Sequence, residues 1–319
     1  MQKKHEEVRA DRLLLDVVAH SSRSEVNRWF KEKQVKRAET ALKKGDLVFE
    51  GEEISLLAAT EWLRPASASD VVLVEQSENF LAFSKPAGMP TLPVIRSEGG
   101  SLADHVAYDF PECIGASPDA PWECGIGHRL DTFTSGVVVV ARTHNAYCDL
   151  RQAFDDEKVE KSYLALVEGD AQEAFFEDRA IVHHGSDSKR MTVFEQGKSN
   201  RGTPQPAFTQ AHPIWGDGER TLMFVTAKGG RRHQVRVHAA AKGFPLAGDT
   251  LYGGLPCPPL EHHALHAFEI AVLDFDATAP LPASFLDACT PLANIQTRIL
   301  AALKDLPMPR STTGQTTPQ

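Results

Sequence analysis

The sequence predicts an α+β fold, a mixed and largely antiparallel β-sheet with flanking helices, preceded by a small N-terminal helical and hairpin module. Three observations carry this. Several strand-like apolar segments follow one another with no helical segment between them, which argues against a doubly wound parallel sheet. The first 44 residues are basic, with twelve Lys or Arg against seven Asp or Glu, whereas the chain as a whole carries −9. A stretch of linker composition, Arg64-Pro65-Ala66-Ser67-Ala68-Ser69-Asp70, separates the two parts. At 319 residues there is room for one large domain and one small one.

Taken in order, Arg12 to His20 has the spacing of a short amphipathic helix. Ser24 is the candidate N-cap of a second, Glu25 to Lys33, with Val26, Trp29 and Phe30 on one face. Val35 and Lys36 begin an extended segment, and Lys43-Lys44-Gly45-Asp46 is a turn before Leu47-Val48-Phe49. Strands are expected at Val71–Glu75, Phe80–Ser84, Gly136–Ala141, Tyr163–Glu168, Met191–Glu195, Leu222–Ala227 and Leu265–Leu273. Helices are expected at Ser101–Tyr108, His144–Lys158, Arg232–Ala241 and Leu292–Leu303. The polar tail from Pro307 to Gln319 reads as disordered. The expected organisation is therefore a module over 1–64, a main domain over 65–306 and a tail over 307–319.

Composition narrows the function classes. An apolar fraction of 42% and a charged fraction of 24% are ordinary for a soluble globular protein, and no run of 18 apolar residues could span a membrane. The N-terminus does not read as a signal peptide. Five scattered cysteines without a CxxC pair suit free thiols in a reducing cytoplasm. Cys257 with His262, His263 and His266 lacks the second cysteine or ligand pair of a metal centre, so no metal is expected. The acidic total speaks against nucleic acid, but its distribution does not. Thr221 to Gly248 holds no acid and carries Lys228, Arg231, Arg232, Arg236 and Lys242. Two basic islands in an acidic chain suit localised phosphate contact, and solvated faces are the plainer alternative.

Nucleotide-cofactor motifs fail on inspection. Gly197-Lys198-Ser199 resembles the end of a P-loop, but Thr192 stands where the first glycine is required. Gly125-Ile126-Gly127 begins a dinucleotide fingerprint that Leu130 breaks. His128-Arg129-Leu130-Asp131 is a kinase-like string with an extra leucine. No cofactor is expected.

The chemistry-bearing stretch is Gly127-His128-Arg129-Leu130-Asp131-Thr132-Phe133-Thr134-Ser135-Gly136, followed by Val137-Val138-Val139-Val140. An Asp beside an Arg is ordinarily a surface ion pair. Asp131, set among apolar residues and turn formers, instead belongs at the mouth of a buried strand. A partly buried carboxylate needs a cation to stay ionised, and Arg236 is the candidate, with bidentate geometry available. On one continuous helix Arg232, Val235 and Arg236 would share a side, with His233 and Val237 on the next. Gly229-Gly230 ahead of them allows close backbone approach to a ligand. Tyr163 begins an alternating strand; such a ring is ordinarily core packing, but near Asp131 it could stack on a base.

The order Lys85-Pro86-Ala87-Gly88, His128–Gly136, Lys161-Ser162-Tyr163, Gly230–His238 and Gly248-Asp249-Thr250-Leu251-Tyr252-Gly253-Gly254 resembles the RluA-type RNA pseudouridine synthases over roughly residues 70–275. The resemblance implies a mixed β-sheet with a central RNA-binding cleft, and isomerisation of specific uridines in ribosomal or transfer RNA, with no oxidant or energy-rich donor. It implies that Asp131 is the essential aspartate, that Tyr163 stacks on the target base, and that Arg236 pairs with the aspartate, with Val235 beside it. Arg129 would enter the space left by the flipped uridine. Lys189 and Arg190 would lie near the cleft, and Arg231, Arg232 and His233 would contact substrate. Residues 9–64 resemble the small S-four-like RNA-binding module, with Lys36-Arg37-Ala38-Glu39 in place of its usual Asn-Gly turn. Arg232 departs from the family's usual Thr or Ser, and Asn200-Arg201-Gly202-Thr203-Pro204 interrupts its pattern. The expected partner is large-subunit ribosomal or transfer RNA, with a monomeric enzyme in the cytoplasm. Two other readings stand beside this one. The first is a non-catalytic RNA-binding or ribosome-assembly protein on the same fold. The second is a carboxylate glycosidase, which needs two facing acids, and the sequence shows no second acid near Asp131.

Overall fold

The computed structural model describes residues 7–49, 51–57, 62–95 and 98–289. The expected helix at Leu292–Leu303 and the tail from Pro307 lie outside them. The chain divides into two compact units, Met1–Trp62 with Ile95–Glu98, and Leu63–Val94 with Gly99–Gln319.

In the smaller unit, β1 (Glu7–Arg9) leads into α1 (Ala10–Val17) and α2 (Arg23–Lys31). β2 (Val35–Arg37), β3 (Thr40–Ala41), β4 (Leu47–Phe49) and β5 (Ser55–Leu56) follow. Ser22, not Ser24, caps α2: its hydroxyl accepts from the Glu25 amide, and the Glu25 carboxylate accepts from the Ser22 amide. This reciprocal box satisfies two amide groups that the first turn leaves free, and it starts the helix two residues earlier than the sequence suggests. Ala10, Leu14, Val26, Trp29, Val35 and Val48 form the unit's core.

The larger unit contains β6 (Val72–Gln76), β7 (Phe80–Lys85), α3 (Leu102–Asp109), β8 (Ser135–Ala141), α4 (His144–Asp155) and β9 (Glu160–Glu168). Next come β10 (Phe175–Glu177), β11 (Ile181–His184), β12 (Met191–Val193), β13 (Asn200–Gln205), β14 (Phe208–Gly216) and β15 (Arg220–Lys228). α5 (Gln234–Ala241), β16 (Leu265–Val272), β17 (Phe275–Thr278) and α6 (Ala283–Ala288) complete it. The main sheet runs β10-β14-β15-β9-β16-β8-β7-β6, with β17 added to β16. Its described pairings are antiparallel except that of β8 with β16. A second sheet has the order β12-β11-β13.

β8 shows why the sheet is covered on both faces. All seven of its residues are buried. Val137 and Val139 pack with Leu150 and Ala153 of α4, and Val138 and Val140 pack with Leu102 and Val106 of α3. An unbroken apolar run is what a two-sided core requires, where a one-sided sheet would alternate. Burying each such side chain contributes about 1.5–3 kcal/mol. β9 repeats the arrangement. Leu164 and Leu166 share a cluster with Phe285 of α6, and Ala165 and Val167 share one with Val235 and Ala239 of α5.

Of the strands that the sequence does not announce, β10, β11 and β17 are short, and β13 and β14 have unusual composition. β13 contains Gly202 and Pro204 and reads as a loop, and it is tolerated because it lies at the edge of the second sheet. β14 carries Pro213, where its pairing with β15 shifts register before Trp215.

Candidate active site at the mouth of the central strands

The residues 127–136 form a clamped loop that feeds β8. His128 accepts the Val139 amide at Nε2 (2.9 Å) and stacks on Phe154. Thr91 Oγ1 donates to the Leu130 carbonyl and accepts the Leu130 amide, at 3.0 and 3.2 Å. Lys85, fully buried at the end of β7, donates to the carbonyls of Pro86, Met89 and Thr132. The Thr134 amide donates to the Asp131 carbonyl, which closes the turn. Such a cage fixes the backbone on both sides of Asp131, and orientation of this kind is what a reacting group requires.

Gly136 ties the loop to the sheet. It pairs with Ala267 of β16, which also pairs with Tyr163 of β9, so a single row across three strands sets Tyr163 beside the Asp131 loop. With φ at 121°, a side chain at Gly136 would place its Cβ 2.1 Å from the Ala267 carbonyl oxygen. Only glycine fits.

The third part comes from the turn after β15. The expected helix from Arg232 starts instead at Gln234, because His233 adopts a left-handed conformation (φ 57°). Gln234 holds this turn: its side-chain oxygen accepts the Arg231 amide, and its nitrogen donates to the Phe208 and Lys228 carbonyls. Arg232 therefore lies outside the helix and shares no helical face with Val235 and Arg236. It donates instead to the Lys189 carbonyl at 3.4 Å.

Arg236 faces Asp131, but the bidentate pair is a different one. Its Nη1 lies 3.3 Å from Asp131 Oδ2, while Nε and Nη2 donate to Asp249 Oδ2 and Oδ1 at 2.7 and 2.9 Å. A second acid therefore does stand at the site. It is buried and fully engaged by the guanidinium, unlike the free acid that a glycosidase pair needs. Burial works against the Arg236 charge, but Asp249 and then Asp131 outweigh it and raise its pKa. The Tyr252 ring lies 5.1 Å from the guanidinium carbon. Burial, and then the Asp131 charge, hold the Tyr163 hydroxyl well above the usual phenol range, so it stays protonated. Burial pushes His233 down to about 4 against the pull of Asp131, so its ring is neutral near pH 7.

Around these groups lies a cleft of about 1190 Å³. Asp131, Tyr163, Arg236, Arg129, Val235, Lys189, Arg231, Arg232 and His233 all line it, so nearly all the residues singled out from the sequence meet there. Arg190 is the exception; its guanidinium lies over Tyr252, 5.8 Å from the ring centre. Lys161 also lines the cleft, and burial with the nearby Arg231 lowers it to about 8. A Cβ on Gly230 would come 3.1 Å from Lys161 Nζ. The histidines once considered with Cys257 are separately engaged. His262 stacks on Phe133, His263 bonds Thr134, and His266 bonds Ser135 and the Ala279 carbonyl.

The sequence model of the RNA pseudouridylate synthase family matches residues 79–241, which carry Asp131, Tyr163 and Arg236. The chain belongs to that family. It is therefore an RNA-modifying isomerase, and the resemblance over its motifs is that of the RluA type. The ribosomal large subunit pseudouridine synthase D of Nitrosomonas europaea is 30% identical, over 94% of this chain and 86% of that one. The protein of the same name from Pseudomonas aeruginosa is 30% identical, over 87% and 90%. Among solved structures, human RNA pseudouridylate synthase domain containing 1 matches with a TM-score of 0.57 and 25% identity, over 75% of this chain and 97% of that one. The mixed α+β sheet with flanking helices is thus the pseudouridine synthase fold.

Sequence reasoning assigned no role to Asp249, Tyr252, Lys85 or Thr91. The signal for the first two was the glycine-bracketed Gly248–Gly254 string, which the structure folds against Arg236.

Proposed function

We propose that this synthase isomerises a specific uridine of large-subunit ribosomal RNA, in the cytoplasm, with Asp131 as the acting carboxylate. The relatives' names support the choice of RNA. The observation that carries the role of Asp131 is its asymmetry. One carboxylate oxygen, Oδ2, faces Arg236 and His233, while Oδ1 has no protein partner among the described residues and belongs to a side chain that is 26% exposed in the cleft. That is a carboxylate held by cationic and polar partners at one oxygen and open to substrate at the other.

In this reading the uridine leaves its stack at a cost of a few kcal/mol, least at loops and ends, and Tyr163 holds the extruded ring. Arg129, exposed at the cleft, fills the vacated space. Val235, beside Arg236, packs near the base. Asp131 acts as the N-glycosidic bond breaks, either on the ribose directly or through an elimination. The detached base turns and rejoins the ribose through its C5, which gives up its proton while N1 gains one, so there is no net change in mass or oxidation state. Because Tyr163 stays protonated, it can donate or relay a proton but does not act as a free phenolate base. Lys189, Arg231 and Arg232 attract backbone phosphate, with Arg190 behind them. The N-terminal module, with Lys31, Lys33, Lys43 and Lys44 around one surface hollow, supplies further RNA contact.

The test uses total RNA from cells lacking this gene, incubated with wild-type protein or Asp131→Asn. Carbodiimide labelling and reverse-transcription stops read the product, since mass cannot. New stops with wild type alone are expected, and they name the target uridine. RNA binding without any new stop would overturn the reading in favour of a non-catalytic RNA-binding protein.

A further inference from the structure

We infer that His233 is a positioning residue for Asp131, locked by Tyr252 as the neutral tautomer whose Nε2–H faces the carboxylate. The inference rests on Asp131 being the acting group. The Met191 amide donates to the Tyr252 phenol oxygen at 2.9 Å, and the same oxygen lies 2.8 Å from His233 Nδ1. The amide can only donate. If Nδ1 also donated, the phenol hydrogen of the half-buried Tyr252 would have no acceptor among the described residues and the contact would set two donors against each other. The phenol therefore donates to Nδ1, and the single proton of the neutral ring sits on Nε2.

That nitrogen lies 3.8 Å from Asp131 Oδ2, the same oxygen that Arg236 Nη1 approaches to 3.3 Å. Arg236 Nη1 thus bonds Asp131 Oδ2 and His233 Nε2 faces the same oxygen at longer range, leaving Oδ1 without a protein partner among the described residues. The gap is longer than a hydrogen bond, as is common before substrate closes on a site. The placement is built and not incidental. His233 is a non-glycine residue at positive φ, a conformation that persists only where surroundings enforce it. The Tyr252 ring meets the imidazole edge-on, with centroids 5.7 Å apart and planes at 83°. The Asp131 loop and β12 are thereby joined through Met191, Tyr252 and His233. A ring placed only to contact RNA would not need its tautomer set from behind.

Long-range ¹H–¹⁵N spectra of the full-length histidine-labelled protein read the tautomer directly, with His233→Gln identifying the signals. The expected result is a pyrrole-type Nε2 and a pyridine-type Nδ1 for His233. Tyr252→Phe, which keeps the ring over Arg236 and deletes only the hydroxyl, is expected to mix the tautomers. It should lower single-turnover isomerisation of the RNA described above by roughly 10- to 100-fold with KM unchanged. An Nδ1–H tautomer or an imidazolium at neutral pH in the wild type overturns the inference. So does a dead Asp131→Asn beside a Tyr252→Phe of wild-type rate, which leaves the reading of Asp131 standing. Full turnover by Asp131→Asn instead overturns the role of Asp131, and this inference with it.

Discussion

Arg236 is anchored by Asp249, through two hydrogen bonds of 2.7 and 2.9 Å, and only its remaining nitrogen addresses Asp131. The guanidinium is buried between two carboxylates of unequal claim. Asp249 neutralises and orients it, and Asp131 is touched at one oxygen. An exclusive bidentate Arg236–Asp131 pair would have occupied both oxygens of Asp131. The division of labour places a cation beside Asp131 without covering both of its oxygens.

Asp249→Asn is accordingly expected to reduce turnover at least about tenfold while leaving RNA affinity close to wild type, because Arg236 loses its fixed orientation. Arg236→Ala leaves Asp249 buried without a partner and should destabilise the fold by about 3–5 kcal/mol. Single-turnover rates and denaturant titrations separate the two effects. An Arg236→Ala protein as stable as wild type would contradict the buried-pair account.

Tyr163 is expected to divide into ring and hydroxyl functions. Tyr163→Leu removes the stacking surface and should weaken RNA binding by about 1–3 kcal/mol. Tyr163→Phe should bind RNA as wild type does and turn over slowly. Since burial and Asp131 raise the Tyr163 pKa, the alkaline side of the rate profile should be the same for wild type and Tyr163→Phe. A limb that disappears in the variant would mean that the phenol ionises after all.

Acid should unfold this protein through its histidines. His128 and His263 are pushed down to about 3, and His233 and His266 to about 4, with burial the main cause in each. Because these folded values lie below the unfolded value near 6.5, the unfolded chain binds more protons between them. Stability is then complete above about pH 6.5 and falls as the pH drops toward 4, by up to about 1.4 kcal/mol per pH unit for each ring. Thermal melts at about pH 7.5 and about pH 5.5 should show a large drop in Tm. An equal Tm at both would refute the neutral-core assignment.

Phosphate contacts have their own signature. Alanine at Lys189 or Arg231 should weaken binding across RNA sequences alike and reduce the slope of log K against log salt by about one each. Filter binding over a salt series measures this. An unchanged slope would remove that side chain from the RNA path.

Much of this site was legible before folding was considered. The string from His128 to Gly136, the Tyr163 strand and Arg236 all carry their residue types in the linear sequence, and all three meet in one cleft. The strand expectations succeeded where β-branched and apolar residues run together, as in β8 and β15. They missed β10, β11 and β17, which are only three or four residues long, and β13 and β14, whose proline and polar residues are admitted by an edge position and by a register shift. The helix start near Arg232 was misplaced because periodicity cannot reveal that His233 turns left-handed.

The linear sequence by itself singled out the candidates, Asp131, Tyr163 and the cations around Arg236, because motif spacing and residue type are local properties. The tertiary structure decided who holds whom. Asp249 lies 118 residues after Asp131 in the numbering, and nothing local links it to Arg236 except the fold of the Gly248–Gly254 turn. The same holds for Lys85 behind Thr132 and for Tyr252 behind His233. A buried polar group must find partners, and which ones it finds depends on which strands become neighbours. That choice belongs to the packing of the whole sheet.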